Sequence, residues 1–390
     1  MTEKYKIMIV AGESSGDTHA ASLVRALREK SPVADFKFFG ATGIKMREAG
    51  VETVLQADEL AIVGLPEIAR ALPMFWNAFK KLKQAAIERK PDAVILVDFP
   101  DFNMKLAKTL KKAGLQIIYY ISPQLWAWRK YRVKTIEKYV DLLLTILPFE
   151  KDWYQNRGVS HVEYVGNPLA GEVAARYGRE GFCAKHKLDP NKKIVAFLPG
   201  SRHKEIVRIL PLMIETALLM AEKNSNLQFI IALGSTRYLA EAEAEIRQAG
   251  KKNPKLLEIL ITVCGETLEA LKAADAAAVK SGTATLETAI IGTPLAIVYK
   301  SSALNYKLLR PLVSVPHFGL VNLVAGERLA KEFIQDDFTP SVLTTELFGL
   351  LAPETNRRMR QKLLEVADSL SGGASERAAE AILNKINFNR

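Results

Sequence analysis

Short runs of apolar, β-prone residues alternate with longer stretches of helical periodicity along the whole chain. Runs of this kind, bounded by Gly, Pro, Asn and Asp, are typical of strands. The alternation predicts an α/β protein with two doubly wound parallel sheets. The predicted strands of the first sheet are residues 6–11, 36–40, 93–98, 116–121, 142–146 and 162–165, and those of the second are 194–198, 228–233, 260–263, 276–279 and 296–299.

A turn-rich junction at Gly166-Asn167-Pro168 separates the two sets of strands. It predicts one Rossmann-like domain over residues 1–168 and a second over residues 169–364. The charged helical tail, about residues 365–390, is expected either to pack back on the first domain or to exchange with a partner chain. Ligands of open parallel sheets bind beyond the carboxyl ends of the strands, so two facing domains predict a substrate cleft between them.

The composition is that of a globular protein with good cores, since 48% of the 390 residues are hydrophobic and 25% are charged. No apolar run approaches the roughly 18 residues of a membrane span, and the first residues lack the pattern of a signal peptide. We therefore expect a cytoplasmic protein. Cys183 and Cys264 lie far apart and fit no metal-binding spacing, so no metal is expected. The net charge of +11 favours anionic partners without choosing among phosphorylated substrates, nucleic acid and an acidic membrane surface.

Residues 281–287 (Ser-Gly-Thr-Ala-Thr-Leu-Glu) join a predicted strand to a predicted helix through small residues. The first amides of a helix have no partners within the helix, so this junction suits a phosphate. Glu287 shares a helix face with Thr283, and a carboxylate there can accept both hydroxyls of a ribose. The alternative is that Glu287 caps the helix, but a capping box needs Ser or Thr where Ala284 stands. The pattern predicts a nucleotide site.

A basic turn follows the first strand of the second half, with Arg202, His203 and Lys204 at a predicted helix start. The helix dipole disfavours cations there. The placement makes sense if a diphosphate supplies the compensating charge and Arg202 grips it with its fork of donors. The alternative is a solvated basic turn.

The turn after the first strand, residues 12–19, offers backbone amides that could hold an anion or a sugar hydroxyl. Asp17 could equally cap the helix predicted over residues 18–28, and Glu13 could favour its dipole. His19 is a candidate base or donor, although a lone histidine is more often structural.

Asp98 ends the predicted strand at residues 93–98, between apolar neighbours. Asp101 or Asn103 could serve as N-cap of the helix that follows, but Asp98 lies too far upstream for that. Partial desolvation at this position would raise the pKa of Asp98 and strengthen it as a base toward a bound hydroxyl. The alternative is a structural aspartate tied to loop amides.

Trp126 and Trp128 precede a basic run and could pass for a stacking platform for nucleic acid. No nucleic-acid module accompanies them, so a packed loop beside a substrate site is the preferred interpretation, and no nucleic-acid partner is expected.

The segment from Leu60 to Lys83 is mainly apolar and ends in a cluster of lysines. Arg70, Asn77 and Gln84 fall at intervals of seven along one polar stripe. The pattern suits a segment that dips an apolar face into a bilayer while its lysines meet anionic headgroups. It suits a buried helix with a basic end equally well.

Together these motifs resemble the lipid-A-disaccharide synthases, inverting glycosyltransferases of the GT-B fold, over nearly the whole length. The resemblance rests on the residues above, on residues 122–128 (Ser-Pro-Gln-Leu-Trp-Ala-Trp) and 198–202 (Leu-Pro-Gly-Ser-Arg), and on Asn322, Glu332 and Gln335. It implies transfer of a 2,3-diacylglucosamine unit from UDP-2,3-diacylglucosamine to 2,3-diacylglucosamine 1-phosphate. The products are the β-1,6-linked disaccharide 1-phosphate and UDP, without metal or cofactor.

The resemblance also implies roles for individual residues. Asp98 is the expected base, and the first domain is expected to face the acceptor and the membrane. The expected UDP ligands are Gly200, Ser201, Arg202, Ser281, Gly282, Thr283, Thr285, Glu287, Asn322, Glu332 and Gln335. The expected acceptor ligands are Glu13, Ser15, Gly16, Asp17, His19 and Asn103. The acylated substrates strengthen the interfacial interpretation of the segment from Leu60 to Lys83, on the cytoplasmic face of the inner membrane of a Gram-negative bacterium.

Two features strain the family pattern. Val321 stands where the family usually carries a proline before the asparagine. The family also tends to dimerise by exchanging C-terminal segments, which nothing in this tail requires. The competing interpretations are a UDP-N-acetylglucosamine epimerase or peptidoglycan-type transferase of the same fold, and a catalytically idle, membrane-associated UDP-sugar binding protein. The apolar segment disfavours the epimerase, the Asp98 and tryptophan motifs disfavour the peptidoglycan enzyme, and intact Asp98 and Arg202 disfavour the idle binder.

Overall fold

The computed structural model describes the backbone of residues 3–57, 65–254, 256–303, 306–307, 310, 313 and 315–388, and the side chains of all of these except 65–72, 252 and 388. The chain divides into two compact units. Unit 1 comprises Met1–Pro168 and Leu370–Arg390, and unit 2 comprises Leu169–Ser369.

Unit 1 is built on a seven-stranded sheet in which every pairing is parallel. Its strands are β1 (Lys4–Ala11), β2 (Asp35–Thr42), β3 (Glu52–Gln56), β4 (Ala93–Val97), β5 (Ile117–Tyr120), β6 (Leu142–Thr145) and β7 (Val162–Tyr164). They are ordered β3-β2-β1-β4-β5-β6-β7. The described helices are α1 (Ser14–Lys30), α2 (Ile44–Glu48), α3 (Leu65–Arg89), α4 (Pro100–Lys112), α5 (Val133–Tyr139), α6 (Glu150–Gln155) and, from the end of the chain, α17 (Ala374–Phe388).

The sheet of unit 1 is covered on both faces, as the unbroken apolar strands predict. Successive side chains of a strand point to opposite faces. Ile7 and Ile9 pack with α1 and α17 on one face, whereas Met8 and Val10 pack with α3 and α4 on the other. The C-terminal helix α17 therefore contributes to the core of unit 1.

Unit 2 repeats the plan with a six-stranded parallel sheet ordered β10-β9-β8-β11-β12-β13. Its strands are β8 (Lys193–Leu198), β9 (Leu227–Leu233), β10 (Leu260–Cys264), β11 (Ala276–Lys280), β12 (Leu295–Tyr299) and β13 (Glu332–Ile334). Its described helices are α7 (Leu169–Glu172), α8 (Arg179–His186), α9 (His203–Lys223), α10 (Leu239–Lys252), α11 (Leu256–Ile259), α12 (Thr267–Ala273), α13 (Ala284–Ile291), α14 (Leu320–Ala325), α15 (Pro340–Leu351) and α16 (Pro353–Ser369).

Both sheets reverse their strand order once, between β1 and β4 in unit 1 and between β8 and β11 in unit 2. Open α/β sheets bind ligands at this switch point, beyond the carboxyl ends of the two strands, because the loops there diverge to opposite faces. The predicted doubly wound α/β class is confirmed, and each unit carries two of the predicted motifs at its switch point.

The segment predicted to meet a bilayer, Leu60 to Lys83, lies partly outside the described residues. From residue 65 its backbone belongs to α3, and from residue 73 its side chains are described. Ala78 and Leu82 are buried against the sheet, whereas Trp76 is 59% exposed. None of the helices in the described part of the chain combines the length and the apolar character of a membrane span.

Candidate active site

Asp98 lies immediately after β4, at the switch point of unit 1, in a strained turn. Asp98 and Phe99 both adopt left-handed backbone conformations, with φ of 47° and 51°. Each such non-glycine residue costs on the order of 1–2 kcal/mol, so surrounding contacts must impose the conformation. The turn projects a carboxylate from the end of a buried strand. Backbone strain of this kind clusters at functional sites.

Hydrogen bonds from two side chains hold this turn. The carbonyl oxygen of Asp98 accepts from the hydroxyl of Tyr119 and from Nδ2 of Asn103, each at 2.8 Å. Nδ2 of Asn103 also donates to the carbonyl of Val97 at 3.2 Å. Asn103 is fully buried. Its two hydrogen bonds hold the turn at Asp98 and Phe99 in place. The alternative that Asp101 or Asn103 caps α4 does not hold, because Phe99 is the N-cap and makes no side-chain capping bond.

The ring of Phe99 packs directly on the first turn of the unit. A Cβ at Gly12 would lie 2.4 Å from that ring, so only glycine fits there. Phe99 also contacts Phe75 of α3 and Phe102 of α4, with ring centroids 6.3 and 5.5 Å apart. The aromatic cluster therefore joins the Asp98 turn to the basic helix α3.

The environment of Asp98 is suited to a base. Burial raises its pKa, and the neighbouring negative charge of Glu13 raises it further, against a hydrogen bond from the amide of Phe99 that lowers it. The resulting pKa is about 6. A carboxylate with this pKa is ionised at neutral pH and is a stronger base than an ordinary aspartate.

The structure places the other predicted acceptor ligands on or beside α1. Glu13 and Ser15 are exposed, Gly16 is buried under the turn, and His19 is half-buried on the next turn of the helix. These positions border the same switch point as Asp98.

Asp17 joins α1 to the start of the next helix. It is only 6% exposed. Its carboxylate accepts hydrogen bonds from the amides of Gly43, Lys45 and Met46, at 2.8 to 3.1 Å. It therefore caps the start of α2. The alternative that Asp17 caps a helix over residues 18–28 does not hold, since α1 begins at Ser14.

In unit 2, Glu205 organises the basic turn after β8. Its Oε2 accepts from the amide of Ser201 at 3.1 Å, and its Oε1 pairs with Lys280 at 2.6 Å. Gly200 has φ of 117°, and a Cβ there would lie 2.5 Å from the Glu205 carboxylate. The pair joins the ends of β8 and β11 across the switch point.

The sequence argument assumed that only a ligand could compensate the positive charge of this turn. In the structure, carboxylates of the protein lie beside Arg202 and His203. Glu205 lies 3.7 Å from the guanidinium of Arg202, and Nδ1 of His203 lies 2.8 Å from Glu241. The Arg202 side chain is nevertheless 77% exposed. Its donors are accessible to a ligand.

The Ser281 turn follows β11 and leads into α13. No hydrogen-bond acceptor is found for the amides of Gly282, Thr283 and Ala284 within the described ranges. Two of the predicted phosphate ligands use their hydroxyls to shape the turn. Ser281 donates to the carbonyl of Phe318 at 2.6 Å, and Thr285 donates to that of Gly282 at 2.8 Å.

Glu287 lies in the first turn of α13 and is half-buried. Burial alone raises its pKa, since no cation or hydrogen-bond donor among the described residues offsets it. A half-buried carboxylate without a protein partner is disposed to accept hydrogen bonds from a ligand.

Asn322, Glu332 and Gln335 build the framework next to this turn. Glu332 accepts from the amides of Phe318 and Gly319, and from Nδ2 of Asn322 at 2.9 Å. Both ends of the fully buried Asn322 amide bond the backbone of Ala330. Gln335 exchanges two hydrogen bonds with Ser301. Glu332 and Asn322 thereby hold the Phe318 loop, whose carbonyl meets the Ser281 hydroxyl.

The tryptophan loop is packed at Trp126, as the preferred interpretation predicts, but Trp128 is 38% exposed. Trp126 is buried, and its indole donates to Oε1 of Glu150 at 2.9 Å. The hydroxyl of Ser122 donates to the same oxygen at 2.8 Å. Burial raises the pKa of Glu150 although these two donors and two backbone amides lower it.

Sequence reasoning missed Tyr119, Glu205, Lys280 and Glu150 as organisers of the site. Tyr119 and Lys280 lie within apolar strands and read as strand residues. Glu205 carried a usable signal, because Glu at the third helical position is a preferred partner of the N-cap backbone. Nothing in the sequence connects Glu150 to the distant tryptophan loop.

Comparison with known proteins identifies the family. A family model described as lipid-A-disaccharide synthetase matches residues 7–386. The lipid-A-disaccharide synthase of Trichlorobacter lovleyi is 42% identical over 374 residues, covering 95% of each chain. That of Syntrophus aciditrophicus is 42% identical over 382 residues, covering 97% of each chain.

Solved structures share the fold at low sequence identity. A glycotransferase of kitacinnamycin superposes with a TM-score of 0.64 at 15% identity, covering 98% of this chain and 99% of that one. The UDP-GlcNAc 2-epimerase of Neisseria meningitidis, solved with UDP-GlcNAc, gives 0.62 at 10% identity, covering 98% and 100%. The GT-B fold is thus shared with transferases and epimerases, whereas the full-length match at about 40% identity is to one family. The chain belongs to the lipid-A-disaccharide synthetase family.

Proposed function

We propose that unit 1 carries the acceptor site and the catalytic base, that unit 2 carries the UDP-sugar site, and that transfer is a single inverting displacement. The chain is a glycosyltransferase that forms the lipid A disaccharide, as its family membership establishes. It transfers 2,3-diacylglucosamine from UDP-2,3-diacylglucosamine to 2,3-diacylglucosamine 1-phosphate.

The observation that carries the mechanism is Asp98, a carboxylate with a pKa of about 6 in a strained turn at a switch point. In the proposed step, Asp98 removes the proton from the 6-hydroxyl of the acceptor. The freed oxygen attacks the anomeric carbon of the donor as the bond from that carbon to UDP breaks. One base on the face opposite the leaving group gives inversion, as in inverting glycosidases.

Three features of unit 2 support UDP as the leaving group. The amides at the start of α13, which have no acceptor among the described residues, and the exposed guanidinium of Arg202 can take up the charge that grows on the diphosphate. Glu287 can accept both ribose hydroxyls. Lys280 and Glu205 hold the two turns in register.

The acceptor residues are proposed from their position around Asp98. Glu13, Ser15 and His19 border the base and offer hydrogen-bonding groups for a sugar, and Gly16 allows close approach of the backbone. We assign Asp17 and Asn103 to holding the turns in shape.

Helix α3 is proposed to bring the protein to the cytoplasmic face of the inner membrane, where acylated substrates reside. Trp76 is exposed, stacks on Phe79 and has Nζ of Lys80 5.4 Å from its ring. An exposed tryptophan with lysines beside it is typical of a surface that meets anionic headgroups.

The test of the function is UDP release by the purified protein in detergent, with the donor supplied and the acceptor present or absent. Release that requires the acceptor, together with a disaccharide phosphate detected by mass, is the expected result. Binding of UDP without acceptor-dependent release would overturn the proposed substrates. Asp98→Asn is the matched inactive control, since asparagine tolerates the left-handed conformation.

A further inference from the structure

Two guanidinium groups in unit 1 converge on a single carboxylate oxygen. Nη1 of Arg129 and Nη1 of Arg132 lie 2.7 and 2.6 Å from Oδ1 of Asp101. Both donors therefore lie within the span of one phosphate group of each other. Paired guanidiniums are the preferred protein ligands of phosphate, because their forked donors match its oxygens.

In this cluster the carboxylate is the most exposed of the three groups and the arginines are less exposed. Asp101 is 62% exposed, whereas Arg129 and Arg132 are 34% and 23% exposed. Burial raises the pKa of Asp101, but the two arginines outweigh it and hold the pKa below its usual value. One ion pair with an exposed carboxylate contributes little to stability, so stability alone does not account for a second arginine on Asp101. The two arginines are therefore held in place by the surrounding protein, whereas Asp101 is the exposed partner.

The backbone and a ring position Arg129 independently of Asp101. Arg129 has φ of 58°, a left-handed conformation that costs on the order of 1–2 kcal/mol in a non-glycine residue. Its guanidinium lies 4.1 Å from the centroid of the Trp128 ring. Strain and stacking that fix a cation beside a catalytic turn indicate a ligand site.

The cluster lies at the start of the helix that follows the Asp98 turn. Asp101 is in the first turn of α4, three residues after Asp98. Asp98, Asp101 and Arg132 all act electrostatically on the phenol of Tyr119. A sugar whose hydroxyl meets Asp98 would therefore hold its anionic substituent near the two arginines.

We propose that Arg129 and Arg132 bind the 1-phosphate of the acceptor, and that Asp101 occupies their donors until the acceptor arrives. The proposal rests on the proposed function. A phosphate monoester carries more charge than the carboxylate that it displaces, and the positive pair then faces a full dianion. The same chemistry would suit the phosphate of a lipid headgroup, so the test separates the two sources.

The experiment compares two acceptors, 2,3-diacylglucosamine 1-phosphate and the methyl glycoside of 2,3-diacylglucosamine, in detergent micelles. In Arg129→Ala and Arg132→Ala, kcat/KM for the phosphorylated acceptor is expected to fall by about 10–100-fold, the loss of one charged hydrogen bond. For the neutral acceptor the change should stay within about threefold. UDP affinity should be unchanged. Arg157→Ala is the matched control, since Arg157 also stacks on a tryptophan, 4.2 Å from the Trp153 ring.

A water-soluble probe removes the lipid from the measurement. Glucosamine 1-phosphate should inhibit the wild-type enzyme competitively against the acceptor, and its inhibition constant should rise about 10-fold or more in both variants. Glucosamine should inhibit neither form appreciably. Arg132→Lys keeps the charge without the fork and should lose less than Arg132→Ala.

Equal losses with both acceptors, with no change in inhibition by glucosamine 1-phosphate, would overturn the proposal and leave a cluster that only holds the loop. Losses seen on vesicles and absent in micelles would also overturn it, in favour of a headgroup site. Wild-type enzyme without acceptor-dependent UDP release would instead refute the proposed function.

Discussion

The hydroxyl of Tyr119 donates a 2.8 Å hydrogen bond to the carbonyl oxygen of Asp98, across from β5 to the end of β4. Asn103 donates to the same oxygen from α4. The carboxylate of Asp98 is thereby aimed through its own backbone, since Tyr119 itself does not contact the carboxylate through this bond. Burial raises the pKa of Tyr119 well above its usual value, so it donates throughout the working pH range.

Tyr119→Phe is therefore expected to lower kcat by about 2–10-fold, the loss of one buried hydrogen bond, while KM for the donor stays unchanged. The measurement is steady-state kinetics together with thermal unfolding. Tyr154→Phe is the control, because Tyr154 is equally buried and donates to the carbonyl of Pro123 instead of that of Asp98. If both variants lose similar stability but only Tyr119→Phe loses kcat, Tyr119 has a positioning role. A loss of kcat in both would refute it.

The activity should rise with pH through the pKa of Asp98. Asp98 acts as base only when ionised, so log kcat/KM should climb with unit slope below about pH 6 and level off above it. The negative charge of Glu13 is one cause of the raised pKa, so Glu13→Gln should move the acid limb to lower pH. A limb that keeps its position in Glu13→Gln would contradict the assignment of the base, whereas Glu29→Gln, a change on exposed α1 surface, should leave it in place.

Asp98→Asn is expected to lower turnover and to raise the free energy of unfolding at high pH. Turnover should fall by about 10²–10⁴-fold with UDP binding retained. The folded pKa of about 6 exceeds the usual 3.8, so the folded state binds more protons than the unfolded state between these values. The contribution of Asp98 to wild-type stability therefore declines as pH rises through that window and is constant above it.

The variant lacks this decline. At pH 8 it should be more stable than the wild type by up to about 3 kcal/mol, and at pH 4 the difference should vanish. Urea unfolding at the two pH values measures both. A variant that is less stable at pH 8 would show that the carboxylate is structurally satisfied, the alternative interpretation of Asp98.

The sequence predicted the two parallel sheets because their central strands are unbroken apolar runs, which report burial directly. The strands it missed, β3 and β13, are both edge strands of their sheets. β3 (Glu52–Gln56) has exposed ends, and β13 (Glu332–Ile334) has three residues. Pairing to a single neighbour requires little apolar sequence, so short edge strands leave a weak pattern.

The candidate site was predictable only as far as local patterns reach. The turns after β1, β4, β8 and β11 were found because glycine and polar residues interrupt apolar runs there. What each polar side chain contacts was not predictable. Asp17 caps α2, 26 residues away at Gly43, and Asn322 bonds Ala330. Such contacts depend on tertiary packing, which the local pattern of apolar and polar residues does not reveal.

Helix α3 should bind anionic vesicles through its exposed face. A lysine near an anionic surface contributes about 1 kcal/mol, so Lys80→Glu with Lys83→Glu should weaken binding by more than 10-fold. Trp76→Ala should weaken it further by removing the interfacial ring. Co-sedimentation with vesicles of mixed phosphatidylethanolamine and phosphatidylglycerol measures the effect. Lys112→Glu with Lys223→Glu gives the same change of charge at exposed positions elsewhere, and an equal loss there would reduce the effect to net charge.

Glu287 should act through the ribose of the donor. Glu287→Gln keeps the size of the side chain but replaces a charged acceptor by a neutral one, so the Kd of UDP should rise by about 10–100-fold, the worth of one to two charged hydrogen bonds. The Kd of 2′,3′-dideoxyuridine diphosphate, which has no ribose hydroxyls, should already be weak and should not change. Titration calorimetry with both ligands makes the comparison. Glu215→Gln, on the exposed face of α9, is the control. An equal loss of affinity for both ligands would mean that Glu287 supports α13 and does not contact the ribose.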